Sequence, residues 1–102
     1  MATNGNFSAT IQGHLVPILF QQIVATGLLT ATGLPNVPDG TKLAMIQVTG
    51  QNLRWRDDGT NPTATVGMRL VANDILVYSG VMSAIKFIEE TTSAVLNITY
   101  YK

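Results

Sequence analysis

Short runs of alternating apolar and polar residues recur about every ten residues along this chain, and turn-forming residues separate them. In the run 94–101, Leu96, Ile98 and Tyr100 share one face, whereas Asn97 and Thr99 lie on the other. Runs of the same kind occupy 44–48 and 83–89, and 75–79 is a further short strand-like run. No helical period continues for ten residues. The pattern predicts an all-β fold of seven or eight short strands, a single antiparallel, jelly-roll-like β-sandwich.

The middle of the chain predicts two strands and a charged outer face. In the segment 45–70, Leu53 and Trp55 fall on one side of a strand and Arg54 and Arg56 on the other. We therefore expect Trp55 to be buried in the core. At least one of the two arginines should pair with a carboxylate, either within the chain or on a neighbouring subunit.

A turn is predicted directly after these arginines. Asp58 and Gly59 form a dipeptide typical of tight turns, and Pro62 cannot donate a backbone hydrogen bond to a sheet. We expect Gly59 to have a positive φ and a new strand to begin near Thr63. The centre of the chain is therefore predicted to form a β-hairpin.

The first part of the chain divides into an arm and the start of the sandwich. Residues 1–13 are small and polar, which predicts an extended N-terminal arm, and residues 14–102 form the predicted β-sandwich domain. Pro17 and the β-branched residues after it favour a strand over 18–25, with a short helix as the open alternative. A further short strand is predicted at 28–31.

Charge is scarce in this sequence. Charged residues make up 12% of the chain, against about 25% in average domains, and the six basic and six acidic residues cancel. No basic footprint of a nucleic-acid binder is present, and the apolar stretch 14–29 is interrupted by polar residues, so we expect neither nucleic acid nor a membrane as partner. The surface is either rich in Thr, Asn and Gly or covered by other subunits. We favour the second, since obligate interfaces are poor in charge.

No set of residues predicts catalysis, a cofactor or a metal. His14 is the single histidine, and a metal site needs further ligands. The oxygen-bearing side chains near the central turn lack the regular spacing of a calcium loop: Asp57, Asp58, Asn61 and Asp74. Glu89 and Glu90 are adjacent, so in a strand they point to opposite faces and cannot act as an acid–base pair. We expect a non-enzymatic protein without cofactor.

The second half of the chain contains several distinctive sequence runs. The run GQNLRWRDDGTNPTATVGMRL, then ILVYSG, SAIKFIE and AVLNITYY, resembles a family of small structural proteins of tailed bacteriophages. The resemblance covers about residues 43–102. These are the matching residues: Arg54, Trp55, Arg56, Asp57, Asp58, Gly59, Thr60, Pro62, Thr63, Ala64, Thr65, Gly67, Phe87, Ile88, Leu96, Asn97, Tyr100 and Tyr101.

The resemblance implies a virion component, made in the bacterial host cytoplasm, whose partners are copies of itself and other virion proteins such as the major capsid protein. A multi-copy capsid decoration or cement protein is the leading hypothesis. The alternatives are a head–tail connector or tail or fibre component, a carbohydrate- or receptor-binding module that uses Trp55, Tyr78, Tyr100 and Tyr101, and a cupin-type enzyme. No charged residue precedes Asp39, so we expect the first 22 residues to make intersubunit contacts, with Phe7 and Ile11 as anchors.

Overall fold

The computed structural model describes residues 14–102, which form two four-stranded antiparallel sheets packed on each other. The prediction of an all-β antiparallel sandwich is confirmed. The predicted arm, with Phe7 and Ile11, lies outside the described residues. The strands have these bounds: β1 Pro17–Ile23, β2 Thr32–Gly33, β3 Leu43–Thr49, β4 Leu53–Arg56, β5 Met68–Leu70, β6 Ile75–Tyr78, β7 Lys86–Glu89 and β8 Val95–Tyr101.

The strands pair in a nested order. Sheet 1 has the order β1-β8-β3-β6 and sheet 2 the order β2-β7-β4-β5. The first strand pairs with the eighth, the second with the seventh, the third with the sixth and the fourth with the fifth. Pairs β3–β8 and β4–β7 join these couples into sheets. Every connection except the one from β4 to β5 therefore crosses from one sheet to the other.

The core lies between the sheets and is built from alternate residues. On sheet 1 the fully buried side chains come from β3 and β8: Ala44, Ile46, Val48, Leu96, Ile98 and Tyr100. Sheet 2 and its flanks add Leu53, Ile85 and Phe87, which are also fully buried. Each large apolar side chain removed from water contributes about 1.5–3 kcal/mol. The predicted inward faces of 83–89 and 94–101 are thus confirmed.

Tyr100 brings a hydroxyl group into the buried core. Its hydroxyl donates a hydrogen bond of 2.6 Å to the backbone oxygen of Pro35. A buried hydroxyl without a partner would cost stability, so this bond allows a tyrosine at the centre of the sandwich. Burial raises the pKa of Tyr100 to about 12.

The segment after residue 14, left open between strand and short helix, is strand β1, which ends at Ile23. The strand predicted at 28–31 is wrong. Ala25–Leu28 forms a turn of 3₁₀ helix that buries Leu28 completely. Gly27 permits the close packing of this turn, because a Cβ at that position would lie 2.5 Å from Ile23 Cγ2. Burial of one leucine has overridden the local β preference.

The central hairpin is present but its turn is longer than predicted. β4 and β5 pair in antiparallel fashion, yet residues 57–67 connect them. The strand expected from Thr63 is wrong, because Thr63 and Val66 close a turn by mutual backbone hydrogen bonds. Thr63 Oγ1 also accepts the Val66 N–H at 3.0 Å. Such a side-chain bond offers the backbone an alternative to the sheet. The positive φ of Gly59 is confirmed at 89°.

Trp55 is half-buried, so the prediction of a buried tryptophan is wrong. It lies opposite Phe87 on one side and Met68 on the other, which places it on the inner face. Its neighbour β5 is a short edge strand, and Met68 remains 61% exposed there. The indole stands edge-on to the ring of Tyr78, with centroids 6.4 Å apart. Trp55 therefore seals the margin of the core, while Phe87 occupies its interior.

The two aromatic residues should differ in their contribution to stability. Phe87→Ala should lower the free energy of unfolding by about 3–5 kcal/mol, the cost of a large cavity in a packed core. Trp55→Ala should cost less, although tryptophan is larger, because part of the indole is already in water. Urea denaturation of both variants measures the difference. A larger loss for Trp55→Ala would contradict this account of the core.

Two glycines with similar backbone angles offer a second test. Gly50 and Gly59 have φ values of 85° and 89°, but a Cβ at Gly50 would lie 2.7 Å from the backbone oxygen of Ser93, whereas nothing lies within 4 Å at Gly59. Gly59→Ala should cost about 1–2 kcal/mol for the left-handed backbone alone. Gly50→Ala should cost clearly more in the same urea titration. Equal losses would show that the contact with Ser93 relaxes freely.

Candidate interaction surface

Charged residues are distributed very unequally between the two sheets. The strands of sheet 1 contain no Lys, Arg, Asp or Glu. The strands of sheet 2 carry five: Arg54, Arg56, Arg69, Lys86 and Glu89. The low overall charge predicted a covered surface without locating it. The sheet order now places the uncharged strands side by side.

Two rows of residues on the outer face of sheet 1 cross all four strands. The first row is Phe20, Thr99, Met45 and Val77. The second row is Gln22, Asn97, Gln47 and Ile75. We call these eight residues the neutral face. Its apolar members are strongly exposed, at 57% for Phe20, 41% for Met45, 38% for Val77 and 58% for Ile75.

The three amide side chains of the neutral face are hydrogen-bonded within the chain. Gln22 Nε2 donates to Asn97 Oδ1 at 2.7 Å, and Gln47 Nε2 donates to the backbone oxygen of Asn73 at 3.4 Å. These amides are therefore partly satisfied within the chain. A surface that is apolar, uncharged and internally bonded loses little when water is removed from it. The neutral face is suited to contact with another protein surface.

Sheet 2 carries an ionic cluster centred on Glu90, directly after β7. The Glu90 carboxylate accepts hydrogen bonds from Arg54 Nε at 2.7 Å and from Arg69 Nε and Nη2 at 2.9 and 3.1 Å. Arg54 Nη1 also donates to the backbone oxygen of Gly67 at 3.1 Å. Hydrogen bonds from Arg69 and then Arg54 hold the pKa of Glu90 below its usual value. The cluster ties the end of β7 to β4 and β5.

This cluster was not foreseen. Glu90 lies after the end of β7, yet its side chain is only 15% exposed. Arg54 and Glu90 are 36 residues apart, so no local pattern could pair them. The prediction that Glu89 and Glu90 point to opposite faces is confirmed: Glu89 is buried, and its Oε1 accepts the Ala94 N–H at 3.2 Å.

A second ion pair stands at the surface of the central loop. Arg56 donates to both carboxylate oxygens of Asp58, at 3.0 and 2.6 Å, which confirms that at least one of the two arginines is paired within the chain. These bonds lower the pKa of Asp58. Asp57 Oδ2 lies 3.0 Å from the Tyr78 hydroxyl, which can donate to it. Burial, followed by this bond and the charge of Asp57, raises the pKa of Tyr78 to about 12.

The remaining candidate residues form no common centre. His14 is exposed ahead of β1. Asp57 and Asp58 lie in the β4–β5 loop and Asp74 in the turn before β6. Within residues 14–102, no group of three or more His, Cys, Asp or Glu side chains could hold a metal ion. In the same described part of the chain, no helix is long and apolar enough to cross a membrane.

Comparison of the chain with protein-family models, with curated proteins and with solved structures gives no match. Function therefore has to be inferred from the chain's own residues and surfaces.

The Glu90 cluster makes stability depend on pH. The pKa of Glu90 in the folded chain lies below its ordinary value of 4.5. Its stabilisation is therefore complete above that value and is lost as the pH falls through the lower, folded-state pKa. Glu90→Gln should lower the melting temperature at pH 7, and the gap to the natural protein should narrow at pH 3. Thermal melts followed by circular dichroism measure both.

Asp58→Asn is the matched control, because it also removes a carboxylate bound by an arginine. Asp58 is 57% exposed, and solvent screens its pair, so its loss should change the melting temperature less. The role assigned to Glu90 would be contradicted if Glu90→Gln lowered the melting temperature by the same amount at pH 7 and pH 3. It would also be contradicted if Glu90→Gln and Asp58→Asn lowered the melting temperature equally.

Proposed function

We propose that this protein is a non-enzymatic structural subunit of a bacteriophage virion, and specifically a multi-copy capsid decoration protein. The observation that carries the proposal is the neutral face. A small free protein normally spreads charge over its whole surface, whereas here the strands of one entire sheet have none. A subunit that remains in an assembly does not need charged residues on the surface that its partners cover.

The strand pairing supports the proposal. A jelly roll arises when a long hairpin of four strand pairs is rolled into two sheets, so that first pairs with eighth and fourth with fifth. The pairs β1–β8, β2–β7, β3–β6 and β4–β5 follow this scheme. We propose that the sandwich is a jelly roll. Viral capsid proteins use this architecture, as do lectins and cupins, so the choice among them depends on the surface.

The sequence runs that resemble the tailed-bacteriophage family, which we call the phage-like motif, also support a structural role. The central part of this motif, residues 54–67, builds the loop of the central hairpin: Arg56 pairs with Asp58, Gly59 has a positive φ, and Arg54 bonds the oxygen of Gly67. Each of these roles concerns the shape of a loop, and none requires a substrate. A motif that specifies a hairpin is what a family of related structural subunits would share. Assignment to that family remains part of the proposal.

The alternative of a sugar-binding module finds less support. Sugars are held on exposed aromatic rings, but Tyr78 and Tyr100 are buried and Trp55 packs against Tyr78. Two surface cavities, of about 650 and 430 Å³, are lined without any aromatic residue. Of the four aromatic residues considered for stacking, this leaves Tyr101. A connector or tail position stays open to the test below.

The number of copies per particle tests the proposal. A decoration protein should be present in hundreds of copies, in fixed ratio to the major capsid protein, because it follows the capsid lattice. Quantitative mass spectrometry of purified virions, with the major capsid protein as internal standard, measures that ratio. A small ring of copies would instead indicate a connector or tail component, and absence from particles would overturn the virion proposal.

A further inference from the structure

We propose that the neutral face binds the same face of a second copy, in an antiparallel twofold dimer. The inference rests on the proposed function, namely that the chain works as an assembled subunit, and it names the partner of the neutral face. Three observations favour a second copy over any other occupant. They are the absence of charge on the face, the charges at its two ends, and its size.

The absence of charge makes self-association feasible. In a twofold dimer each patch meets its own copy, so any charge on the patch faces a like charge nearby. The neutral face contains none, and its polar members are amides and one hydroxyl. Met45 and Val77 are neighbours in the first row, Phe20 lies beyond Thr99 in the same row, and Ile75 adds an apolar side chain in the second row. Two such rows can bury each other without leaving a charge unpaired.

The ends of the face carry opposite net charge, which selects the direction. Lys42 and Lys102 flank one end, where the Lys42 N–H bonds the Tyr101 oxygen, and Asp39 lies near them. Asp74 flanks the other end, where its backbone oxygen accepts the Val48 N–H. All four of these charged residues are exposed. A twofold axis that runs across the strands places the lysine end of one copy at the Asp74 end of the other, whereas a parallel arrangement places lysines on lysines.

The size of the face is close to what a dimer needs. Three strands of seven residues and one of four, spaced about 4.8 Å apart with a rise of about 3.3 Å per residue, cover about 400 Å². Two such faces bury roughly 800 Å² before side-chain relief is counted, and that relief brings the total towards the threshold of about 1,000 Å² for a specific interface. Sheets that stack face to face pack about 10 Å apart with interdigitated side chains. The exposed Phe20, Met45 and Ile75 supply that relief.

Sedimentation velocity of the full chain over a range of concentrations tests the dimer. The natural protein should sediment as a species of twice its 10.9 kDa mass. Met45→Lys should raise the dimer dissociation constant at least tenfold, because it places two ammonium groups in an apolar contact. Met68→Lys is the matched control: this methionine is 61% exposed on sheet 2, away from the neutral face, and its variant should dimerise normally.

The direction of the dimer is tested by charge reversal. Lys42→Glu combined with Lys102→Glu should weaken the dimer, since acidic groups then face Asp74, and addition of Asp74→Lys should restore it. Circular dichroism verifies that each variant folds. If Met45→Lys does not fold, Ile75→Lys, at a side chain 58% exposed, replaces it.

Several results would overturn the inference. A natural chain that stays monomeric at every concentration would do so, as would a dimer insensitive to Met45→Lys and Ile75→Lys. A dimer that forms only after deletion of residues 1–13 would assign the face to that segment. A dimeric chain that is absent from virions would overturn the proposed function and leave the dimer standing, so the two failures are distinguishable.

Discussion

Strand β8 is the element on which the rest of this structure depends. It pairs with β1 on one side and β3 on the other, and its alternate residues Leu96, Ile98 and Tyr100 are fully buried. Because side chains alternate strictly along a strand, burying these three sends Asn97 and Thr99 to the outer surface. A slip of one residue would exchange the two sets. The same alternation in β3 then fixes which residues form the outer face of sheet 1.

The two sheets use different means to stay ordered. Sheet 1 relies on two long pairings with β8 and on apolar burial. Sheet 2 has shorter strands, and the Glu90 cluster fastens three of its elements by four hydrogen bonds that involve Arg54 and Arg69. Short edge strands with little buried area gain most from such ties. The scarce charge of this chain is therefore concentrated where packing is weakest.

Tyr78 connects the two sheets. It belongs to β6 of sheet 1, yet its ring packs on Trp55 of β4 and its hydroxyl can bond Asp57 in the β4–β5 loop. The ring also lies over Gly80, where a Cβ would come within 2.5 Å of the hydroxyl oxygen. Through this residue the β4–β5 loop of sheet 2 is anchored to the inner side of sheet 1, away from the neutral face. The β4–β5 loop and the neutral face thus occupy separate parts of the molecule.

The sequence by itself determined the fold class, most strands and the inward residues of the later ones, because a period of two and turn dipeptides are local signals. It also determined that Gly59 needs a positive φ and that Arg54 and Arg56 point away from Trp55. Local signals failed where burial competed with them, as in the 3₁₀ turn that buries Leu28.

Only the tertiary structure decided which strands become neighbours. That choice pairs Arg54 with Glu90 across 36 residues, leaves Trp55 half-buried beside an edge strand, and gathers the uncharged strands into one sheet. Strand order is set by packing between residues distant in sequence, and such packing leaves no periodic trace in the chain. The scarcity of charge could therefore be counted from the sequence, but the neutral face could be found only in the folded molecule.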